Sequence, residues 1–271
     1  MLNSVLLHLE GTDHAKSVIQ MGVSLARQAE ARVRGLTLLD TRRSEAAWQS
    51  DSAVLAVIEA RRQAGAKQLQ EAVRVDLSRA CLEARLDFDV RQLSGDPLQI
   101  LPQEARFHDL VITSVNTGRE PEPGDLTPRD VLRLLARGVQ PLLVVQAEQP
   151  PIERVLMVYD GHDAAGRAIR SFINLGILAN AEHRLVAIGG DEASARTGLR
   201  EMADYCAGRR SFETGCLTGN AGRVLLPYAE KWQADLIVLG VGPSNRLLRC
   251  LLGCAPLKLL RKLPCGLYVA A

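Results

Sequence analysis

The chain has 271 residues, 47% of them apolar and 24% charged, with a formal net charge of +2. That balance excludes a disordered chain and lacks the basic excess of a general nucleic-acid binder. Its longest apolar runs are strand-length, well short of the roughly 18 residues a membrane-spanning helix needs, and the start shows no signal-peptide zones. The expectation is a cytoplasmic protein with neither nucleic acid nor membrane as partner.

In chain order, the pattern predicts an apolar strand Val5 to Leu9, then a turn Glu10-Gly11-Thr12-Asp13 in which Thr12 or Asp13 can cap a helix to about Ala29. A strand follows from Arg32 to Leu39. The stretch from about Ser44 to Ala84 reads as one long helix or two, with Leu55, Ile58, Leu69, Val73 and Leu77 as core candidates. Strand Asp87 to Leu93 closes at Ser94-Gly95-Asp96-Pro97. A helix to about Phe107, a strand Leu110 to Thr113, a helix near Arg129 to Ala136 and a strand Leu142 to Val145 follow.

Gln146 to Pro151, with two prolines, reads as a linker. Beyond it come strand Val155 to Tyr159, helix Ala164 to Leu178, strand Arg184 to Ile188, helix Glu192 to Ala207 and strand Ser211 to Leu217. Helix Val224 to Lys231, strand Leu236 to Leu239, helix Leu247 to Lys262 and strand Leu267 to Ala270 complete the chain. Pro256 suggests a kink or restart in the last helix.

The two lists are one list written twice. Val5-Leu6-Leu7 matches Val155-Leu156-Met157 at an offset of 150, and Asp109-Leu110-Val111-Ile112 matches Asp235-Leu236-Ile237-Val238 at 126. Gly95 and Gly219 are 124 apart, so the second copy lacks about 26 residues, the difference between 150 and 124, mostly opposite an extra helical segment near 41–66. The domains expected are 1–148 and 152–271. Each should be a doubly wound α/β unit, a five-stranded parallel sheet with helices on both faces, because alternating strands and helices require right-handed crossovers.

In such a sheet a ligand binds at the carboxyl ends of the strands, where strand order reverses. The residues there are Asp160-Gly161-His162 in the second copy and Glu10-Gly11-Thr12 in the first, with Gly240 to Arg246 and Gly253-Cys254 after the fourth strand of the second copy. Asp160 has two roles open to it, contact with a ligand or capping of the following helix. The six cysteines form no Cys-x-x-Cys pair, and the five histidines have no metal or catalytic spacing, so no catalytic or metal site is expected. The basic residues of the last helix lie among leucines and read as an ordinary core-facing helix.

The order of elements, the acid-Gly turn, and Ala234 to Gly240 leading to Leu251-Leu252-Gly253 resemble the universal stress protein family, and the doubled chain is similar to its tandem members. The resemblance implies an adenine nucleotide alpha hydrolase-like fold. It also implies a nucleotide motif, Gly-x2-Gly-x9-Gly-[Ser/Thr], whose backbone N–H groups and final hydroxyl hold phosphates. Gly240 and Gly253 take the first and third glycine positions. Pro243 replaces the second and removes an N–H, and Cys254 replaces the hydroxyl with a weak donor. Each change costs about 1–3 kcal/mol of phosphate binding, together on the order of a hundredfold or more. Gly242, Asn245 and Arg246 are available as substitute contacts.

In the first copy Thr113 is expected at the first glycine, and Glu120, Glu122 and Asp125 replace the phosphate cradle, so that copy is read as a non-binder. The implied function is a non-catalytic regulatory or scaffold module of the stress response, with unidentified protein partners and a degenerate nucleotide site in its second domain. The alternative is an ATP sensor with at most slow hydrolysis. ATP is the one cofactor implied, and only weakly bound. Family members assemble through their last strands, so the resemblance also implies an intramolecular pseudo-dimer of the two copies and allows a homodimer.

Overall fold

The computed structural model describes residues 1–9, 12–41, 53–115, 126–139, 141–189, 192–219, 221–240 and 265–270. Two compact units divide the chain: one holds Leu2–Val139 with Val145–Glu148, the other Gln140–Val144 with Gln149–Ala271.

The first unit is built from β1 (Ser4–Leu9), α1 (Thr12–Ala29), β2 (Arg32–Asp40), α2 (Ala53–Glu83), β3 (Phe88–Gly95), α3 (Pro97–Ala105), β4 (Leu110–Ser114) and α4 (Pro128–Ala136). Its strands lie in the order β3-β2-β1-β4, all parallel. Their side chains are buried on both faces along β1 and β4, as expected of strands covered by helices on either side. Local chemistry sets the helix starts. Asp96 accepts a hydrogen bond from Leu98 N at 2.9 Å and Pro97 supplies the preset φ of a first helical residue.

The long stretch expected as one helix or two is, in its described part, the single helix α2. Ala66, Val73, Leu77 and Cys81 form its buried stripe. Leu55 and Ile58, expected in the core, are instead 47% and 57% exposed. The reason is length: 31 residues span about 46 Å, whereas a nine-residue strand such as β2 spans about 30 Å, so one end of the helix outruns the sheet.

The second unit contains β5 (Leu142–Val145, through Val144), β6 (Arg154–Tyr159), α5 (Asp163–Leu175), β7 (Glu182–Gly189), α6 (Glu192–Ala207), β8 (Glu213–Thr218), α7 (Ala221–Trp232), β9 (Leu236–Gly240) and β10 (Gly266–Ala270). Five strands run parallel in the order β10-β9-β6-β7-β8, and β5 lies antiparallel on β10, with Val144, Leu143 and Leu142 opposite Leu267, Tyr268 and Val269. The expected last helix, Leu247 to Lys262, falls outside the described residues.

The acids that open the repeated Asp-Leu landmarks are structural in both units. Asp109 Oδ2 accepts from Asn3 N and Ser4 N at 2.7 and 3.1 Å, and Asp235 Oδ2 accepts from Glu153 N and Arg154 N at 3.0 and 2.9 Å. Each carboxylate thus ties the start of the fourth strand of its unit to the start of the first. In the second unit α5 is held over the sheet by Phe172, edge-on to the buried Tyr268 ring at 5.2 Å, while Ser171 Oγ and the Tyr268 hydroxyl lie 2.9 Å apart.

Candidate functional site

In the second unit the strand order reverses between β6 and β9, which pair directly through Val155 with Leu236, Leu156 with Ile237 and Met157 with Val238. Asp160, Gly161 and Gly240 therefore stand together at the switch point. The turn after β6 is built by the acid. Asp160 Oδ1 accepts from His162 N at 3.1 Å, Gly161 adopts the left-handed φ of +80° that favours glycine, and His162 becomes the N-cap of α5 without a side-chain cap bond. His162 Nδ1 lies 3.1 Å from the Asp160 carbonyl and 3.4 Å from Oδ1. Asp160 is thus not the helix cap. It holds the turn with one oxygen, and its other oxygen, Oδ2, is shut from solvent and has no hydrogen-bond partner among the described residues, on a side chain 7% exposed. A buried acceptor left unmatched is costly.

Gly240 has a packing reason of its own. A Cβ there would stand 2.3 Å from the backbone C and O of Ala164 and the N of Ala165, because the first turn of α5 lies directly on the end of β9. The glycine brings helix and strand together, whatever it does for a ligand. Gly242, Asn245, Arg246, Gly253 and Cys254, with Pro243, lie outside the described residues. The structure therefore brings together three of the eight predicted positions.

The same point in the first unit is arranged differently. Pairing of Val5 with Leu110 matches that of Val155 with Leu236, so the residue opposite Gly240 is Ser114, not Thr113 as expected. A one-residue slip exchanges the two faces of a strand. Thr113 instead matches Leu239, on the other face, where its Oγ1 lies 3.0 Å from His8 Nδ1 and donates to Ser114 O at 3.1 Å. With the threonine proton so placed, His8 Nδ1–H is the donor between them. His8 is fully buried, and burial pushes its imidazole down to about 3 from the ordinary 6.5, so it is neutral at any physiological pH.

At α4, Asp130 N donates to Thr127 Oγ1 at 3.2 Å and Asp130 Oδ2 accepts from Thr127 N at 3.1 Å. This capping box occupies donors that a phosphate would need. Glu10 and Gly11, and the loop acids Glu120, Glu122 and Asp125, lie outside the described residues. Sequence reasoning missed the His8–Thr113 pair; its signal was a histidine inside an otherwise apolar strand.

A doubly wound α/β unit with an unmatched acid at its switch point defines a class of small-ligand-binding domains. Within that class, a family model described as Universal stress protein family matches residues 151–270. Over nearly its full length the fold is similar to the crystal structure of a universal stress protein from Archaeoglobus fulgidus DSM 4304. The TM-score is 0.65 and the identity 15%, covering 98% of this chain and 95% of that one. A functionally unknown protein from Pseudomonas aeruginosa PAO1 is similar at a TM-score of 0.61 and 16% identity, covering 99% and 92%. Comparison with curated proteins found no match.

Proposed function

We propose that the protein is a tandem universal stress protein acting as a non-catalytic regulatory module, with one weakened nucleoside site, in its second unit. The observation that carries this reading is the buried, unmatched Oδ2 of Asp160 at the switch point. It suits a hydroxyl donor such as a ribose. Pro243 and Cys254 remove phosphate contacts, so the nucleoside end of the ligand carries the binding and the triphosphate adds little.

Calorimetric titration of the full chain with adenosine and with Mg-ATP tests this. The expected result is weak binding of both, on the order of 0.1–1 mM and within a few-fold of each other, abolished by Asp160→Ala. Micromolar binding of ATP alone would sink it in favour of an ATP sensor with slow hydrolysis, in which Gly242, Asn245 and Arg246 supply the lost contacts. Absence of binding by either ligand would leave the surfaces of the protein as its working parts.

The ladder of β5 on β10 supports the further proposal that the two copies work as an intramolecular pseudo-dimer, with a cytoplasmic location and protein partners. Light scattering on the full chain distinguishes a monomer from the homodimer that such edges also permit.

A further inference from the structure

A second concavity lies between α5 and α6, with His162 of the Asp160-Gly161-His162 turn at its edge. Its volume is about 450 Å³, within the range of small-molecule pockets. The ring of Tyr159, the last residue of β6, is framed by two glycines inside helices. A Cβ at Gly198 would stand 2.7 Å from Tyr159 Cε1, and one at Gly166 would stand 3.3 Å from Met202 Cε and 3.9 Å from Tyr159 Cε2. Glycine weakens a helix interior and usually has a packing reason when it occurs there. Here Gly166 makes room for Met202 of α6, and Gly198 makes room for the tyrosine ring beside open volume.

Four arginines of the described helices stand three residues from an acid and pair with it: Arg62 with Glu59, Arg74 with Glu71, Arg79 with Asp76 and Arg133 with Asp130. Arg167 and Arg170, one turn apart on the α5 side of the groove, form no ion pair among the described residues, although Glu201 stands on the α6 side. The Arg170 guanidinium lies 6.0 Å from the centroid of the Tyr205 ring. Asp163 is in the first turn of α5, where the helix dipole offsets its charge. Two neighbouring guanidiniums without a carboxylate make a place for one, since arginine takes carboxylates with paired hydrogen bonds. Tyr159 and Tyr205 add aromatic surface to the lining.

We propose that this groove binds a small planar organic carboxylate. Its anionic end is taken by Arg167 and Arg170, its ring lies against Tyr159 and Tyr205, and a hydroxyl or amine at the far end donates to Glu201. The site adjoins the Asp160 turn, with Tyr159 and His162 in its lining.

Calorimetry of the full chain with 4-hydroxybenzoate as probe tests it, with benzoate and inorganic phosphate alongside and circular dichroism to confirm that variants are folded. The expected result is saturable binding of 4-hydroxybenzoate, weakened about tenfold or more in the Arg167→Ala/Arg170→Ala double variant. Glu201→Gln should weaken 4-hydroxybenzoate and leave benzoate unchanged. No heat at about 10 mM probe, equal affinity in the double variant, or phosphate binding as well as the aromatic acid would each overturn the proposal.

Discussion

At the ends of β1 and β4 the first unit carries His8 and Thr113, hydrogen-bonded to each other and closed to solvent. At the matching positions the second unit carries Val158 and Leu239, both apolar and buried, while on the opposite face Ser114 is replaced by Gly240. The two units thus share strand order, register and the Asp109/Asp235 ties and differ where a ligand would bind. In the first, His8 Nδ1 and Thr113 Oγ1 bond to each other; in the second, Asp160 presents Oδ2 with no hydrogen-bond partner among the described residues. Buried donors and acceptors must find partners somewhere.

The sharpest way to break the comparison is to exchange the residues at the end of the fourth strand. Gly240→Ala puts a Cβ into the backbone of Ala164 and Ala165, which has no flexible side chain to yield. The expected loss is about 3 kcal/mol, the upper part of the range for overpacking, read as a lowered urea midpoint. Ser114→Gly in the first unit should cost only about 1 kcal/mol, from backbone entropy. Equal losses at the two sites would mean that the first turn of α5 does not press on β9 as described.

The His8–Thr113 pair gives the next largest effect. Thr113→Leu alone takes the acceptor from His8 Nδ1 and should cost about 2 kcal/mol. Adding His8→Val recreates the Val158–Leu239 pair and should recover most of that loss. The double variant also tests the charge argument. His8 is held neutral in the fold with a value near 3 against 6.5 unfolded, so its contribution is fully present above about pH 6.5 and is lost as pH falls toward 3. Between those limits the unfolded chain takes up the proton, giving a slope of about 1.4 kcal/mol per pH unit that the double variant should lack. His183, lowered to about 4 by burial and by Arg210, whose Nη1 lies 2.6 Å from His183 Nε2, keeps its own slope over the upper part of that window. An unchanged pH profile in the double variant would show that His8 is not the titrating group.

Much of this arrangement was legible in advance. Helix Glu192–Ala207 and strand Leu142–Val145 fall on the residues that periodicity indicates, because both have covered faces that impose a period. Periodicity failed at Leu55 and Ile58, where an apolar stripe continues past the end of the sheet that would bury it. Thr113 was placed one residue early, although the offset of 126 between the Asp109 and Asp235 landmarks already sets Ser114 opposite Gly240, as the pairing with β1 shows. Asp160 was found from its place after β6, but the division of labour between its two oxygens depends on where the amide of His162 falls. The α5–α6 groove left only two glycines in helical stretches as its trace, and nothing in the pattern says what two glycines face.

The smallest effect expected concerns the start of α4 in the first unit. Thr127 and Asp130 exchange hydrogen bonds at the first turn of α4, so Thr127→Ala removes one half of a capping box and should cost about 1 kcal/mol. Its value lies in what it exposes: the backbone N–H of Asp130 loses its acceptor while the Asp130 carboxylate remains beside the helix start. If the first unit fails to bind anions because its donors are occupied, the variant should still bind none, since that carboxylate repels an anion. Thr127→Ala/Asp130→Ala should then be the first change to admit phosphate, weakly, by calorimetry. Phosphate binding by the single variant would show instead that the threonine alone kept the anion out.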